Sequence, residues 1–190
     1  MRATDALKED HDVIERLCRV LFAASQRLQK GEDVDPQIFR KGVDFIRNFA
    51  DKCHHSKEED NLFPAMEKQG VPKEGGPIGM MLIEHDEGRE HVRELSSALD
   101  KYESGDKSAA VKNAIVGHAI GYARLLTQHI DKENNILYAI ADDVLSSAEQ
   151  NALFDRFEKI EEETIGRAKH AEYVQLVGEL EKAVQKTAGR

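Results

Sequence analysis

The sequence predicts an all-α fold: an up-down-up-down four-helix bundle over residues 1–143, extended by a helical pair over 144–190. Three observations predict it. Apolar residues recur at helical spacing along nearly the whole chain. Three of the 4 Pro and a few glycine clusters fall between these long segments; Pro64 alone lies inside one. No segment alternates with the period of a strand.

The first helix runs from about Thr4 to Gln29, where Leu7, Ile14, Leu17, Leu21, Ala24 and Leu28 keep the period until Gly31-Glu32-Asp33 breaks it. Asp35-Pro36 offers a cap followed by proline in the first turn. The second helix then continues through Val43, Ile46, Ala50, Leu62 and Ala65 to about Gln69. Gly70-Val71-Pro72-Lys73-Glu74-Gly75-Gly76 is the strongest breaker, and Pro77 opens the third helix, which ends before Ser104-Gly105-Asp106. A fourth spans about Ser108 to Asp142. Ser147 with Gln150 three residues on resembles a capping box for the fifth, which reaches about Glu163, and a sixth follows Gly166.

With 36 Asp and Glu against 27 Lys and Arg, the net charge of −9 disfavours nucleic acid and anionic lipid as partners. No apolar run is long enough to span a membrane, and two cysteines are too few for a disulfide scaffold, so a reduced cytoplasm is expected.

The eight His carry the functional signal. His54-His55-Ser56-Lys57-Glu58-Glu59-Asp60-Asn61-Leu62-Phe63 matches His129-Ile130-Asp131-Lys132-Glu133-Asn134-Asn135-Ile136-Leu137-Tyr138 at the His, Lys, Glu, Leu and aromatic positions. Helices one and three share a shorter echo, Glu9-Asp10-His11-Asp12 and Ile83-Glu84-His85-Asp86. The even helices thus each offer His and Glu one turn apart on one face, and the odd helices each offer one His.

Periodicity assigns the faces. His54 and Glu58 share theirs with Val43, Ile46, Ala50, Leu62 and Ala65, whereas His55 and Glu59 fall among Asp44, Arg47, Asn48 and Asp51 and are expected in water. His129 shares a stripe with Leu125, Leu126, Ile136 and Leu137; His85 continues Ile78, Met81, Leu82 and Val92; His11 lies beside Leu7, Ile14 and Cys18. Height agrees with facing. His11 lies ~10 Å and His85 ~12 Å above their helix starts; Glu58 and Glu133 lie ~16 and ~13 Å from the ends of the opposed helices. One such His is usually a hydrogen-bonded core residue, but six buried polar groups in one slab carry a high desolvation cost unless cations accept their lone pairs. Six donors are too many for one tetrahedral zinc and suit two metals, each with two His and bridged by two Glu.

The other candidates fall outside this set. His118 lies ~16 Å from His129 along the helix. His91 and His170 sit among charged residues and are expected to be solvated, Glu15 belongs near the surface beside Asp12 and Arg19, and Cys53 and Cys18 duplicate no position of the repeat.

These phrases, with His54-His55 to Leu62-Phe63-Pro64 and Glu84-His85-Asp86-Glu87-Gly88-Arg89, resemble the hemerythrin-like, HHE cation-binding family over residues 1–143. The resemblance implies two Fe ions joined by an oxo or hydroxo bridge, with His11, His54, His85 and His129 as terminal ligands and Glu58 and Glu133 as bridging carboxylates; Zn or Mn are substitutes the same donors admit. Oxygen-carrying members use a fifth His one turn beyond the His of helix three, where this chain has Arg89. The four-His, two-Glu set is more similar to bacterial iron-centre repair proteins and to relatives acting on peroxide or nitric oxide. The expected function is therefore binding or turnover of a small ligand (O2, NO or H2O2). The alternatives are an iron or redox sensor, an iron store or repair protein without turnover, and a structural metal-binding bundle. Gly88, beside the vacated fifth-ligand position, is expected either to allow close helix packing or to leave an entry space.

Overall fold

The computed structural model describes residues 1–186, so the last four residues of the expected extension lie outside it. Among the described residues there are six helices and no strand. They are α1 (Ala3–Gln29), α2 (37–68), α3 (Pro77–Glu103), α4 (109–144), α5 (Ser147–Thr164) and α6 (Arg167–Lys186). Left-handed glycines terminate several of them. At the end of α2, Gly70 takes φ +89°, so that its N–H reaches the carbonyl of Glu67 while that of Val71 reaches Met66. Asp35 caps α2, its carboxylate accepting from the N–H of Gln37 at 2.9 Å.

The start of α5 differs from expectation by one residue. Ser146, not Ser147, is the cap: its hydroxyl accepts from the N–H of Glu149, whose carboxylate accepts from Ser146 in return. Gln150 is buried instead, accepting from the N–H of Ala3 at 3.0 Å and donating to Asp142 at 3.0 Å.

In the bundle α1 neighbours α2 and α4, and α3 neighbours the same two. α5 and α6 pack on α1 and on α2. The apolar core is divided. One cluster holds Ile14, Leu17, Leu21, Phe45, Phe49, Leu95, Leu99 and Ile130 with Tyr173, Val177 and Leu180 of α6. The other holds Leu7, Leu62, Met66, Ile78, Met81, Leu137 and Tyr138 with Phe157 and Ile160 of α5. On every bundle helix the His or His–Glu segment falls between the two clusters, as a polar slab between two apolar layers.

Two helices are not α throughout. Ile46–His55 and Glu58–Leu62 of α2, and Glu133–Leu137 of α4, wind as π-helix. The i→i+5 pattern turns the chain less per residue than an α-helix does, so the faces drift from those of a regular 3.6 period. Ile136, expected in the inward stripe, is 55% exposed as a result. Among the described residues no helix is long and apolar enough to cross a membrane.

Candidate metal centre

Four imidazoles converge in the slab through their Nε2 atoms. His11 and His54 meet at 3.1 Å, and His85 and His129 meet at 3.1 Å. Two carboxylates lie across the pairs. Glu58 Oε2 is 3.5 Å from both His54 Nε2 and His85 Nε2. Glu133 Oε2 is 3.1 Å from His11 Nε2, and its Oε1 is 3.2 Å from His129 Nε2 and 3.9 Å from His85 Nε2. All six side chains are at most 2% exposed.

Each ring is held by an acceptor on its other nitrogen. His11 Nδ1 faces Asn134 Oδ1 at 2.8 Å, His54 Nδ1 faces Asp10 at 3.3 Å, His85 Nδ1 faces Glu59 at 2.6 Å and His129 Nδ1 faces Glu84 at 2.9 Å. A proton on each Nδ1 leaves each Nε2 with a bare lone pair aimed inward. Lys57 bonds Asp10 at 2.9 Å, and Lys132 bonds Glu84. The repeat seen in the sequence is thus a structural one: Asp10 and Glu84, Lys57 and Lys132, and Asn134 and Glu59 stand in matching places. Tyr138 stacks on His11 at 5.4 Å as Phe63 stacks on His85 at 6.1 Å. Only the tyrosine adds a donor, its hydroxyl giving a 2.6 Å hydrogen bond to Glu58 Oε1.

The protonation balance follows from burial. Burial pushes His54 down to about 4, with Asp10 pulling the other way, so its imidazole is neutral at pH 7. Burial, and then Glu133, raises Glu58 well above the usual carboxylate range. Burial also acts to raise Glu133, but His129 and His11 outweigh it and hold that group well below.

The donor set fits metal ions. Glu58 Oε2 and both oxygens of Glu133 are buried without a hydrogen-bond donor. The 3.1 Å approach of His11 Nε2 to Glu133 is a hydrogen bond only if Nε2 carries a proton, either moved from Nδ1, which Asn134 already engages, or added to make the ring a cation. Paired lone pairs at 3.1 Å beside orphaned carboxylate oxygens repel unless cations lie among them.

His55 corrects the facing expectation. It is 5% exposed, its Nδ1 3.3 Å from Asp51, and its ring lies over His85 at 3.8 Å with 12° between planes. The π-helical Ile46–His55 stretch carries it inward, where regular α periodicity sends it to water. A ring nitrogen of His55 comes within 4.8 Å of nitrogens of His85 and His129, but two stacked parallel rings cannot both point in-plane lone pairs at one ion. Glu59 is also drawn in, bonding His85 and Arg89, which hold it at about 2 against burial.

Two other expectations need correction. His170 is not simply solvated: its Nε2 is 3.5 Å from Asp10 and its ring packs on Phe49. His91 pairs with His118, their Nδ1 atoms 3.3 Å apart. Glu15 meets Arg19 at the surface, and both cysteines are buried, the Cys18 thiol pushed up to about 12 by burial. Sequence reading missed Asp10, Glu84, Lys57, Lys132, Asn134 and Tyr138, although the repeat itself pairs most of them.

A family model, the hemerythrin HHE cation-binding domain, matches residues 2–141. The chain belongs to the hemerythrin HHE cation-binding family. Within the curated proteins it is 23% identical over 182 residues to the uncharacterised proteins Rv1995 of Mycobacterium tuberculosis (strain ATCC 25618 / H37Rv) and Mb2018 of Mycobacterium bovis (strain ATCC BAA-935 / AF2122/97). That match covers 96% of this chain and 70% of each relative. It is also 35% identical over 86 residues to the iron-sulfur cluster repair protein YtfE of Salmonella schwarzengrund (strain CVM19633), covering 45% of this chain and 39% of that protein. Membership makes this a cation-binding domain, and the His/Glu cluster is where the chain concentrates its ligand atoms.

Proposed function

We propose that this hemerythrin-family chain holds two iron ions and binds or turns over a small ligand such as O2, NO or peroxide. His11 and His54 would hold one ion, His85 and His129 the other, and Glu58 and Glu133 would bridge them. The observation that carries the reading is the pairing of four inward Nε2 atoms with carboxylate oxygens that have no donor. Bound iron would supply Lewis acidity and redox chemistry toward the ligand. The protein's own part is to fix the tautomers through Asp10, Asn134, Glu59 and Glu84, to keep a proton on Tyr138 beside Glu58, and to exclude bulk water with two apolar layers. Residues 1–143 then form the metal-holding bundle, and residues from 144 onward brace it.

Anaerobic iron titration followed by separate exposure to O2, NO and H2O2 tests this. Saturation at two ions per chain, with a spectral change on exposure to one of the three, is expected; a protein that binds no iron refutes it. A sensor role is favoured by one observation. Glu161 of α5 is 3.3 Å from Lys57, which with His170 of α6 meets Asp10, the partner of His54, so the appended helices touch the supports of the centre. Steady ligand consumption would identify turnover; a change in α5–α6 hydrogen exchange on oxidation, without consumption, would identify sensing.

A further inference from the structure

Where α3 meets α4, outside the polar slab, two half-buried imidazoles come together. His91 of α3 and His118 of α4 bring their Nδ1 atoms to 3.3 Å, with ring centroids 5.5 Å apart and planes inclined by 60°. His118 lies about 16 Å along α4 from His129, so this pair shares no ion with the central His and Glu.

The backbone makes room for the pair. Gly121, three residues after His118, is the seat of the His91 ring: a Cβ there would fall 2.4 Å from His91 Cε1 and 2.8 Å from its Nε2. Glycine inside a helix is unfavourable relative to alanine, and any other residue at 121 would push the imidazole aside. Glu87 stands exposed one helical turn before His91 on the same face. Burial first, and His118 second, hold His91 below its ordinary pKa against the pull of Glu87, which favours the neutral, ligand form of the ring.

The spacing is that of a chelate. Two imidazole nitrogens about 2.0–2.1 Å from one tetrahedral ion stand about 3.3–3.4 Å apart. Unlike His55, which lies parallel on His85, the inclined rings of His91 and His118 can converge their in-plane lone pairs. A single N–H···N bond between them would account for the distance but give Glu87 no part. Imidazole and carboxylate donors together suit zinc and its late first-row neighbours. We propose that His91, His118 and Glu87 form a second, mononuclear site for a divalent cation of the zinc class, which ties α3 to α4 while water completes the coordination. The proposal is independent of the dinuclear reading above.

Equilibrium dialysis of the full chain against Zn2+, with bound zinc counted, tests it. Zinc held in the buried centre contributes equally to every variant, so a difference belongs to this pair. The wild type should hold one more zinc ion than His91→Ala, His118→Ala or Gly121→Ala, each checked for helix content by circular dichroism. Gly121→Ala removes no donor atom and displaces only the seated ring. Glu87→Gln should keep the site but weaken zinc affinity by about tenfold or more, having lost a charge beside the cation. Equal zinc counts in wild type and His91→Ala overturn the site and leave a hydrogen-bonded pair. A count that falls in His91→Ala but not in His118→Ala overturns the shared chelate, and unaltered affinity in Glu87→Gln removes the carboxylate from it. A chain that takes up no iron yet shows the zinc difference overturns the dinuclear reading and supports this site.

Discussion

Adjacent histidines on α2 do different work, and iron content separates them. His54 aims Nε2 at His11 and Glu58, whereas His55 lies flat on His85. His54→Ala should lose most bound iron, and His55→Ala should stay near two ions per chain when metal is counted by elemental analysis. Equal losses would make His55 a ligand despite its stacked ring. Glu59 supplies a pH prediction. Its folded pKa of about 2 lies below its ordinary value, so the stability it contributes is present above that ordinary value and is lost as pH falls toward 2. Metal-free Glu59→Gln should therefore show a shallower loss of stability with acid than wild type over that interval, measured by urea unfolding at stepped pH. The inward positions of His54, Glu58, His85 and His129 were legible because apolar neighbours at helical spacing mark a face. The burial of His55 was not, because no residue type announces the change from α to π winding before it. Asp10 and Glu84 were visible in the echo before each single His, but their purpose depends on a neighbouring helix.

At the level of elements, glycine and proline punctuation located all six helices, and the error was local. Two serines compete to cap α5: Ser146 closes a box with Glu149, and the Gln150 that would serve Ser147 is buried against Ala3 and Asp142 instead. What the helices contribute is testable by truncation. A chain ending at Val144 keeps all six converging groups and should still bind iron. It loses Phe157 and Ile160 from one apolar cluster and Tyr173, Val177 and Leu180 from the other. Each such side chain stabilises by about 1.5–3 kcal/mol when fully buried. The fragment should therefore melt about ten degrees or more below the full chain, followed by circular dichroism. A folded fragment unable to take up iron would show that α5 and α6 are needed to hold Asp10 and Lys57, and through them His54, in place.

Across the whole molecule, two apolar layers enclose a polar slab, so the fold does not depend on metal alone. Chelation should leave helix content nearly unchanged while lowering the melting temperature, since ions that bind only the folded chain stabilise it by mass action and relieve the crowding of Glu58 against Glu133. A collapse of helix content on chelation would mean that the clusters cannot hold the bundle by themselves. The two halves of the slab match in position but not in charge. Behind His85 stands the carboxylate of Glu59, whereas behind His11 stands the neutral amide of Asn134. An imidazole backed by a carboxylate is the more basic donor. Two irons held as proposed should consequently be electronically unlike, the one near His85 being harder to reduce, so that a single added electron settles beside His11. Mössbauer spectra of the half-reduced protein should then resolve separate ferrous and ferric sites, and Glu59→Gln should bring the two potentials closer together.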